Sequence, residues 1–248
     1  MSAFLDLAAR LGAPSVALTQ RALSEMTPMH LLRELRRRDL TVSSLNSAGY
    51  FTLEDAEFQE GQALRNRRLI EAAATLDAGA LCVITGGAGS PQRRSDARDR
   101  MTDGLFALDA EAAAMGVTLG LEPIHPAEFL TKGVCNSISQ ALKITEDLQA
   151  TRLILDLYHS AWDPDLDSLL AGKPVHPVVL QVCEPVVRDG ALHRDLPLSD
   201  WAVGCIATSL QNGFQGPVEV ELFERDLFRR DPETLFASLE TFSLSKPT

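Results

Sequence analysis

Short apolar runs alternate along the chain with longer stretches in which apolar residues recur at helical spacing. The runs predict seven buried strands, at residues 15–18, 41–45, 80–84 and 118–121 and in three runs that begin at residues 152, 178 and 218. The stretches between them predict eight helices, of which the last begins at Asp231-Pro232 and turns Leu235, Leu239 and Phe242 inward. Strands and helices in strict alternation indicate a parallel sheet closed into a barrel.

A helix precedes the first predicted strand, whereas a (β/α)8 barrel begins with a strand. The sequence therefore predicts an α/β fold, a TIM (β/α)8-type barrel that lacks the first strand, with seven strands and eight helices in a single domain over residues 1–248. Such a barrel has an unpaired sheet edge that exposes backbone donors and acceptors. We expect the N-terminal helix or a second subunit to cover this edge, and hence a homo-oligomer such as a dimer.

Composition narrows the range of partners. The chain has 248 residues, of which 45% are hydrophobic, and its net charge of −11 argues against a general nucleic-acid binder. The four cysteines form no C-x-x-C pair, so neither a disulfide framework nor a zinc knuckle is predicted. Neither a membrane span nor a signal peptide is indicated. We expect a cytoplasmic protein that binds a small polar molecule, with no nucleic-acid or membrane partner.

Oxygen-bearing side chains stand at the ends of four predicted strands: Glu122, Asp156, Gln181 and Glu221. The carboxyl ends of parallel barrel strands open on one face, so these side chains are expected to converge. Buried carboxylates that lie close together repel one another unless a cation neutralises them. An all-oxygen ligand set favours Mn²⁺ or Mg²⁺, with Co²⁺ or Zn²⁺ as permitted substitutes. The sequence therefore predicts a divalent metal site with these four ligands.

A metal site of this kind supports proton abstraction next to a carbonyl group, because the cation stabilises the enediolate that results. Glu122 and Glu221 are the candidate acid and base. His125 and His159 are candidates for binding substrate hydroxyl groups, and Arg194 is a candidate for holding a terminal oxygen or a phosphate.

Asn46, in a polar loop predicted at residues 46–50, and Glu184 complete the candidate substrate-binding residues. Structural roles compete with each of these assignments. A glutamate at a strand end often caps a helix or forms half of a salt bridge, and an amide in a strand, such as Gln181, is often a satisfied core group. Glu219 shares a strand face with Glu221, so the two could exchange roles.

Three long segments resemble the sugar phosphate isomerases/epimerases of the xylose isomerase-like TIM barrel superfamily. They are L-E-P-I-H-P at residues 121–126, D-L-Y-H-S-A-W-D-P-D-L at 156–166 and G-P-V-E-V-E-L-F at 216–223. The corresponding family segments are L-E-P-L-H-P, D-x-Y-H-x-W-W-D-P-x-L and G-P-x-E-V-E-I-F. The resemblance implies a metal held by Glu122, Asp156 and Glu221, with the two glutamates as acid and base. It also implies Glu221, in preference to Glu219, as the ligand.

Two segments depart from the family pattern. In L-Q-V-C-E-P at residues 180–185, Gln181 takes the place of the histidine that most relatives use as the fourth ligand, and Glu184 takes the place of an aspartate. Hydroxypyruvate isomerase-like relatives also use glutamine there. The loop that closes over substrate in relatives, R-G-M-M-G-D-G, is expected here to be cut to H-R-D-L-P at residues 193–197.

The resemblance implies a metal-dependent isomerase or epimerase of a small keto-sugar, sugar acid or inositol derivative. Two alternatives stay open: an inosose dehydratase-like lyase on the same site, and a catalytically idle barrel that serves as a partner or regulatory subunit. An apurinic-site endonuclease-like enzyme of the same superfamily fits less well, because the chain is acidic and few histidines are placed at the metal site.

Overall fold

Seven parallel strands form one curved sheet, which is a nearly closed barrel. The computed structural model describes residues 1–223, 226 and 230–237. Within these residues the strands are paired in the order β1-β2-β3-β4-β5-β6-β9. Their bounds are β1 Ser15–Thr19, β2 Thr41–Gly49, β3 Ala80–Ile84, β4 Leu119–Leu121, β5 Thr151–Asp156, β6 Val179–Val182 and β9 Val218–Val220. The predicted seven-stranded barrel is therefore confirmed, with β1 and β9 as its edge strands.

Helices follow most of the strands. The described residues contain α1 Ser2–Arg10, α2 Gln20–Glu25, α3 Pro28–Arg36, α4 Ala56–Leu76, α5 Arg94–Ala114, α6 Ile138–Thr145, α7 Leu157–Ser160, α8 Leu166–Leu170, α9 Asp200–Gln211 and α10 Pro232–Ala237. The helical pattern predicts eight of these and misses the short helices α2 and α7. No helix in the described ranges is both long and apolar enough to cross a bilayer.

Side chains of the strands alternate between the barrel interior and the helix layer. In β3 the interior side chains of Ala80, Cys82 and Ile84 form a small apolar cluster with Ile154 and Val179. Leu81 and Val83 point the other way and join the larger core between sheet and helices. Because every residue of β3 is buried, the strand is an uninterrupted apolar run, which is why its bounds are predicted correctly.

A two-stranded antiparallel hairpin stands beside the barrel mouth. Its strands are β7 Glu184–Arg188 and β8 Ala191–Asp195. His193 to Asp195 lie in β8, so this part of residues 193–197 is strand and not loop. That the segment is shortened relative to the family stays a prediction. The turn consists of Asp189 and Gly190, both with positive φ (51° and 75°). Asp-Gly is a preferred pair for such hairpin turns, so the signal for this hairpin is present in the sequence.

Two other expectations need correction. The loop predicted at residues 46–50 is wrong, because β2 continues through Gly49 and therefore contains Asn46. The helical spacing of Phe4, Leu7, Ala8 and Leu11 predicts that they share the apolar face of α1, but the buried residues are Leu5 and Ala8 and Phe4 is 44% exposed, so the buried face is rotated from the predicted one. Leu239 and Phe242 lie outside the described residues. Association of two chains through the barrel edge stays a prediction.

Candidate active site

The barrel mouth brings three acidic side chains to one place. Glu122 follows β4, Asp156 ends β5, and Glu221 follows β9. The backbone N–H of Glu122 donates to Val83 O (3.1 Å) and that of Glu221 to Val182 O (3.0 Å), which extends the sheet ladder to both residues. Glu122 is 3% exposed and Asp156 is fully buried. The three acids lie at the ends of their strands at the barrel mouth, as the sequence predicts.

His159 joins the acids through a turn that Asp156 itself begins. Asp156 Oδ1 accepts from Tyr158 N (2.9 Å) and so caps α7. This places His159 Nε2 at 3.6 Å from Glu122 Oε1 and 3.8 Å from Asp156 Oδ2. The nearest ligand atoms of Glu122, Asp156 and His159 all lie within 4.8 Å of one another. His159 is thus as close to the acids as a metal ligand would be, although the sequence predicts it only as a substrate-binding residue.

Arg194 lies between two of the acids. Its Nη2 atom donates to Asp156 Oδ2 and to Glu221 Oε2, both at 2.8 Å, and lies 3.5 Å from His159 Nε2. The guanidinium stacks on the ring of Tyr158, with its carbon 3.8 Å from the ring centroid. Only 2% of Arg194 is exposed. The predicted substrate-binding arginine is therefore a buried counterion of the acids.

Lys132 is a site residue that the sequence analysis misses. It lies in the loop after β4, and its Nζ atom is 3.0 Å from His159 Nε2. On the other side of the ring, His159 Nδ1 accepts from His125 N (3.2 Å). A single lysine in a loop forms no periodic pattern, so the sequence contains no signal for a role of Lys132.

Burial and charge shift the pKa values of these groups. Burial raises the pKa of Glu122, while the Lys132 ammonium opposes the rise. Burial, together with the negative charge of Asp156, raises the pKa of Glu221 to about 8. Burial lowers the pKa of His159 to about 2, helped by Lys132 and Arg194. At neutral pH the imidazole is therefore uncharged, and Glu221 readily exchanges a proton.

Gln181 and Glu219 lie side by side within the barrel. Gln181 pairs in register with Asp156 on one side and with Glu219 on the other. Its Nε2 donates to Glu219 Oε2 (3.2 Å), which also accepts from Ser44 Oγ (3.1 Å). Glu219 Oε2 is thus bound to Gln181 and Ser44, and its Oε1 has no hydrogen-bond partner among the described residues. Glu221 contacts Arg194, which also binds Asp156, and this link to Asp156 supports the preference for Glu221 as the site residue.

Three observations test whether these residues fit a divalent cation. Among the residues the structure describes, the Oε1 atom of Gln181 is buried and has no hydrogen-bond partner, so it is available to coordinate an ion. Asp156 and Glu221 already share a positively charged group, Arg194, between them. Their oxygens are hard donors of the kind that Mn²⁺ and Mg²⁺ prefer. The donor set therefore fits such a cation.

His159 is a less suitable ligand than its position suggests. Nδ1 faces the backbone N–H of His125 (3.2 Å) and Nε2 faces the Lys132 ammonium (3.0 Å), and both neighbours are donors. With the ring proton on Nδ1, Nε2 accepts from Lys132; with the proton on Nε2, that nitrogen has no lone pair to offer. In neither tautomer is Nε2 free for a metal ion, so His159 is better placed to hydrogen-bond a substrate oxygen, which is its predicted role.

The remaining predicted residues have other contacts. His125 is partly exposed, and its Nδ1 accepts from Ala127 N (3.2 Å). Glu184 Oε2 accepts from Ser199 N (2.8 Å) at the start of α9. Asn46 Oδ1 is buried without a hydrogen-bond partner in the described part of the chain. Substrate-binding roles for these three residues stay predictions.

Comparisons with known proteins agree with this fold. A family model described as xylose isomerase-like TIM barrel matches residues 5–242. Protein SMc04130 from Sinorhizobium meliloti 1021 is 27% identical, with a TM-score of 0.79 over 94% of this chain and 88% of that one. A search of curated proteins finds no match.

Two more distant structures show the same fold. The IolI protein with a bound zinc atom is 18% identical, with a TM-score of 0.74 over 96% of this chain and 89% of that one. The 3-keto-D-glucoside 4-epimerase YcjR from E. coli, in its apo form, is 16% identical, with a TM-score of 0.73 over 96% and 92% of the two chains. At these identities the likeness concerns the fold alone.

Proposed function

Because the chain belongs to the xylose isomerase-like TIM barrel family, we propose that it is a divalent metal-dependent isomerase or epimerase. Its substrate is a small keto-sugar, sugar acid or inositol derivative, and a proton moves next to the carbonyl group by way of an enediolate. The observation that carries the proposal is the convergence of Glu122 and Asp156, both buried, and partly buried Glu221 at the barrel mouth, where Arg194 joins Asp156 to Glu221 and His159 lies beside Glu122 and Asp156.

Glu122 and Glu221 are the acid and base of the proposed reaction. They follow β4 and β9, which two further strands separate in the sheet, so the two side chains reach the mouth from different sides. In the metal-free site burial raises the pKa of both groups. A bound cation would lower both pKa values again, because positive charge favours the ionised form, and an ionised carboxylate can accept the proton and later return it.

The cation is held by Glu122, Asp156, Gln181 and Glu221. When bound there, Mn²⁺ or Mg²⁺, or else Co²⁺ or Zn²⁺, supplies the positive charge that polarises the substrate carbonyl. The zinc named for the IolI structure supports a divalent ion in this fold. Gln181 contributes a neutral amide oxygen, so the site carries three formal negative charges and binds the cation by charge as well as by coordination.

Substrate hydroxyl groups are bound by donors around Glu122. His159 presents a buried Nε2, and the Lys132 ammonium lies 3.0 Å from it. His125 stands nearer the surface, 6.2 Å from the ring of Trp162, which is 44% exposed. We propose that these groups hold the sugar over the acids while Glu122 removes the proton.

An inosose dehydratase-like lyase is a second candidate, and the same cluster favours it. A hydroxyl group leaves more readily when a donor protonates it, and the Lys132 ammonium, 3.0 Å from His159 Nε2, is such a donor near Glu122. The lyase differs from the isomerase in that the enediolate expels water before it can be reprotonated.

The test is a mass-spectrometric assay in D₂O. The Mn²⁺-loaded protein is incubated with a panel of keto-sugars, sugar acids and inosose compounds, and each product is separated and weighed. An isomerase gives a product of unchanged formula with deuterium at the carbon next to the carbonyl. A lyase gives a product lighter by one water. A panel that neither exchanges deuterium nor changes mass, although Mn²⁺ is bound, contradicts the enzymatic proposal and favours an idle barrel.

A further inference from the structure

We propose that Arg194 and the divalent cation compete for the same two carboxylates, so that the chain carries its own competitor for its metal ion. The inference rests on the proposed function, because it takes the metal site as given. It adds that the site has two states, one closed by Arg194 and one occupied by the ion.

The competition follows from the position of a single atom. Nη2 of Arg194 contacts Asp156 Oδ2 and Glu221 Oε2 at the same distance, 2.8 Å, and lies 3.5 Å from His159 Nε2. A nitrogen at the focus of three site residues occupies the region where a shared ion would lie. A divalent ion bonded to the same oxygens at roughly 2.0 to 2.2 Å would place two positive charges against the guanidinium. The two cations therefore exclude each other.

Charge balance leads to the same conclusion. When Glu122, Asp156 and Glu221 are all ionised, as they would be around a divalent ion, they carry three negative charges against the two positive charges of Arg194 and the nearby Lys132, which leaves one unbalanced negative charge. Addition of a divalent ion without other change would leave one unbalanced positive charge in a buried site, which is costly. Departure of Arg194 restores neutrality. The ion is thus expected to bind together with the release of the guanidinium.

The hairpin gives Arg194 a means of leaving. Arg194 lies on β8, which pairs with β7 and is not hydrogen-bonded into the seven-stranded sheet. The hairpin is held to the mouth by the Arg194 contacts and by Tyr158, whose hydroxyl donates to Leu192 O (3.0 Å), and at its base by Glu184, which accepts from Ser199 N, and by the Asp195–Arg230 ion pair. Loss of the Arg194 contacts would weaken that attachment and leave the barrel strands unchanged. By linkage, whatever displaces Arg194 also favours the ion.

The test is the affinity for Mn²⁺ alone, measured by isothermal titration of the metal-stripped full-length protein. Arg194→Gln removes the competing charge, and Arg152→Gln is the matched control, because Arg152 is exposed on β5 and its loss changes the net charge equally. Two charge-assisted hydrogen bonds no longer need to be broken, so Arg194→Gln should bind Mn²⁺ about ten- to a hundredfold more tightly. Arg152→Gln should bind like the wild type.

An unchanged or weaker affinity in Arg194→Gln overturns the competition. If neither the wild type nor the variant binds Mn²⁺, the competition and the proposed metal site both fail. If the wild type binds Mn²⁺ and Arg194→Gln, but not Arg152→Gln, binds it more tightly, the competition stands even when no sugar is turned over. The two proposals are thus tested separately.

A second measurement uses only the wild type and covers the case in which Arg194→Gln does not fold. Hydrogen–deuterium exchange is followed in peptides that span the hairpin, with and without Mn²⁺. Competition predicts faster exchange in residues 184–195 when Mn²⁺ is present, because the guanidinium has released the acids. Equal or slower exchange there in the presence of bound Mn²⁺ contradicts the proposal.

Discussion

Lys132 Nζ lies 3.0 Å from His159 Nε2, at the side of the ring that faces Glu122. A neutral imidazole accepts a hydrogen bond at only one nitrogen, so Lys132 at Nε2 competes with His125 N, which lies 3.2 Å from Nδ1. The main effect of Lys132 on the site is electrostatic, because its charge lowers the pKa of Glu122 against the effect of burial.

Replacement of Lys132 by Gln should shift the pH dependence of turnover. Without the ammonium, the pKa of Glu122 rises further, so a higher pH is needed to deprotonate it. If Glu122 is the base, the acidic limb of the profile of kcat/KM against pH moves upward. Lys143→Gln, at an exposed position on α6, is the control and should leave the limb in place. A limb that moves downward in Lys132→Gln would contradict the assignment of Glu122.

Glu221→Gln should lower turnover by about a hundredfold or more, because the amide cannot exchange a proton. The fold should remain nearly intact, as measured by circular dichroism and the midpoint of thermal unfolding. Glu219→Gln is the matched control, since Glu219 lies two residues earlier, within β9, but contacts Gln181 and Ser44. Undiminished turnover in Glu221→Gln would remove its acid or base role.

Asn66 fixes the end of β2. Its Oδ1 accepts from Gly49 N and its Nδ2 donates to Gly49 O, both at 3.0 Å, and the side chain is buried. Asn66→Ala leaves both backbone groups without these partners and should lower the free energy of unfolding by about 2 to 4 kcal/mol. Asn212→Ala, at an exposed position after α9, should cost less than about 0.5 kcal/mol. Urea unfolding of both variants gives the comparison, and equal losses would show that the Gly49 contacts add nothing.

The barrel could be predicted from sequence because its strands are short, apolar and separated by helices of regular period. The run at β3 is buried throughout, so both of its ends are marked. The hairpin was missed because β7 is only partly buried and lacks a continuous apolar run. Its Asp189-Gly190 turn was the available signal. The extension of β2 to Gly49 depends on Asn66, a contact between distant residues that periodicity does not reveal.

The sequence predicts the acidic ligands of the candidate site, but it does not predict where the two basic side chains lie. The carboxyl ends of parallel strands lie on one face of a barrel, and those ends can be located in a sequence. The convergence of Glu122, Asp156 and Glu221 could therefore be predicted. Arg194 and Lys132 reach that face from a hairpin and a loop, and their contacts depend on how those segments fold back. The pairing of Gln181 with Glu219 depends on strand register, which a single sequence does not fix.

We propose that the barrel mouth holds one divalent ion, and elemental analysis measures this number. The wild type, Asp156→Asn and the charge-matched control Asp167→Asn, at an exposed position on α8, are saturated with Mn²⁺, freed of unbound ion and analysed for metal per chain. We predict about one ion per chain in the wild type and in Asp167→Asn, and a clear loss in Asp156→Asn, because Asp156 supplies a buried ligand oxygen. A wild type that retains no more Mn²⁺ than Asp156→Asn would contradict the claim.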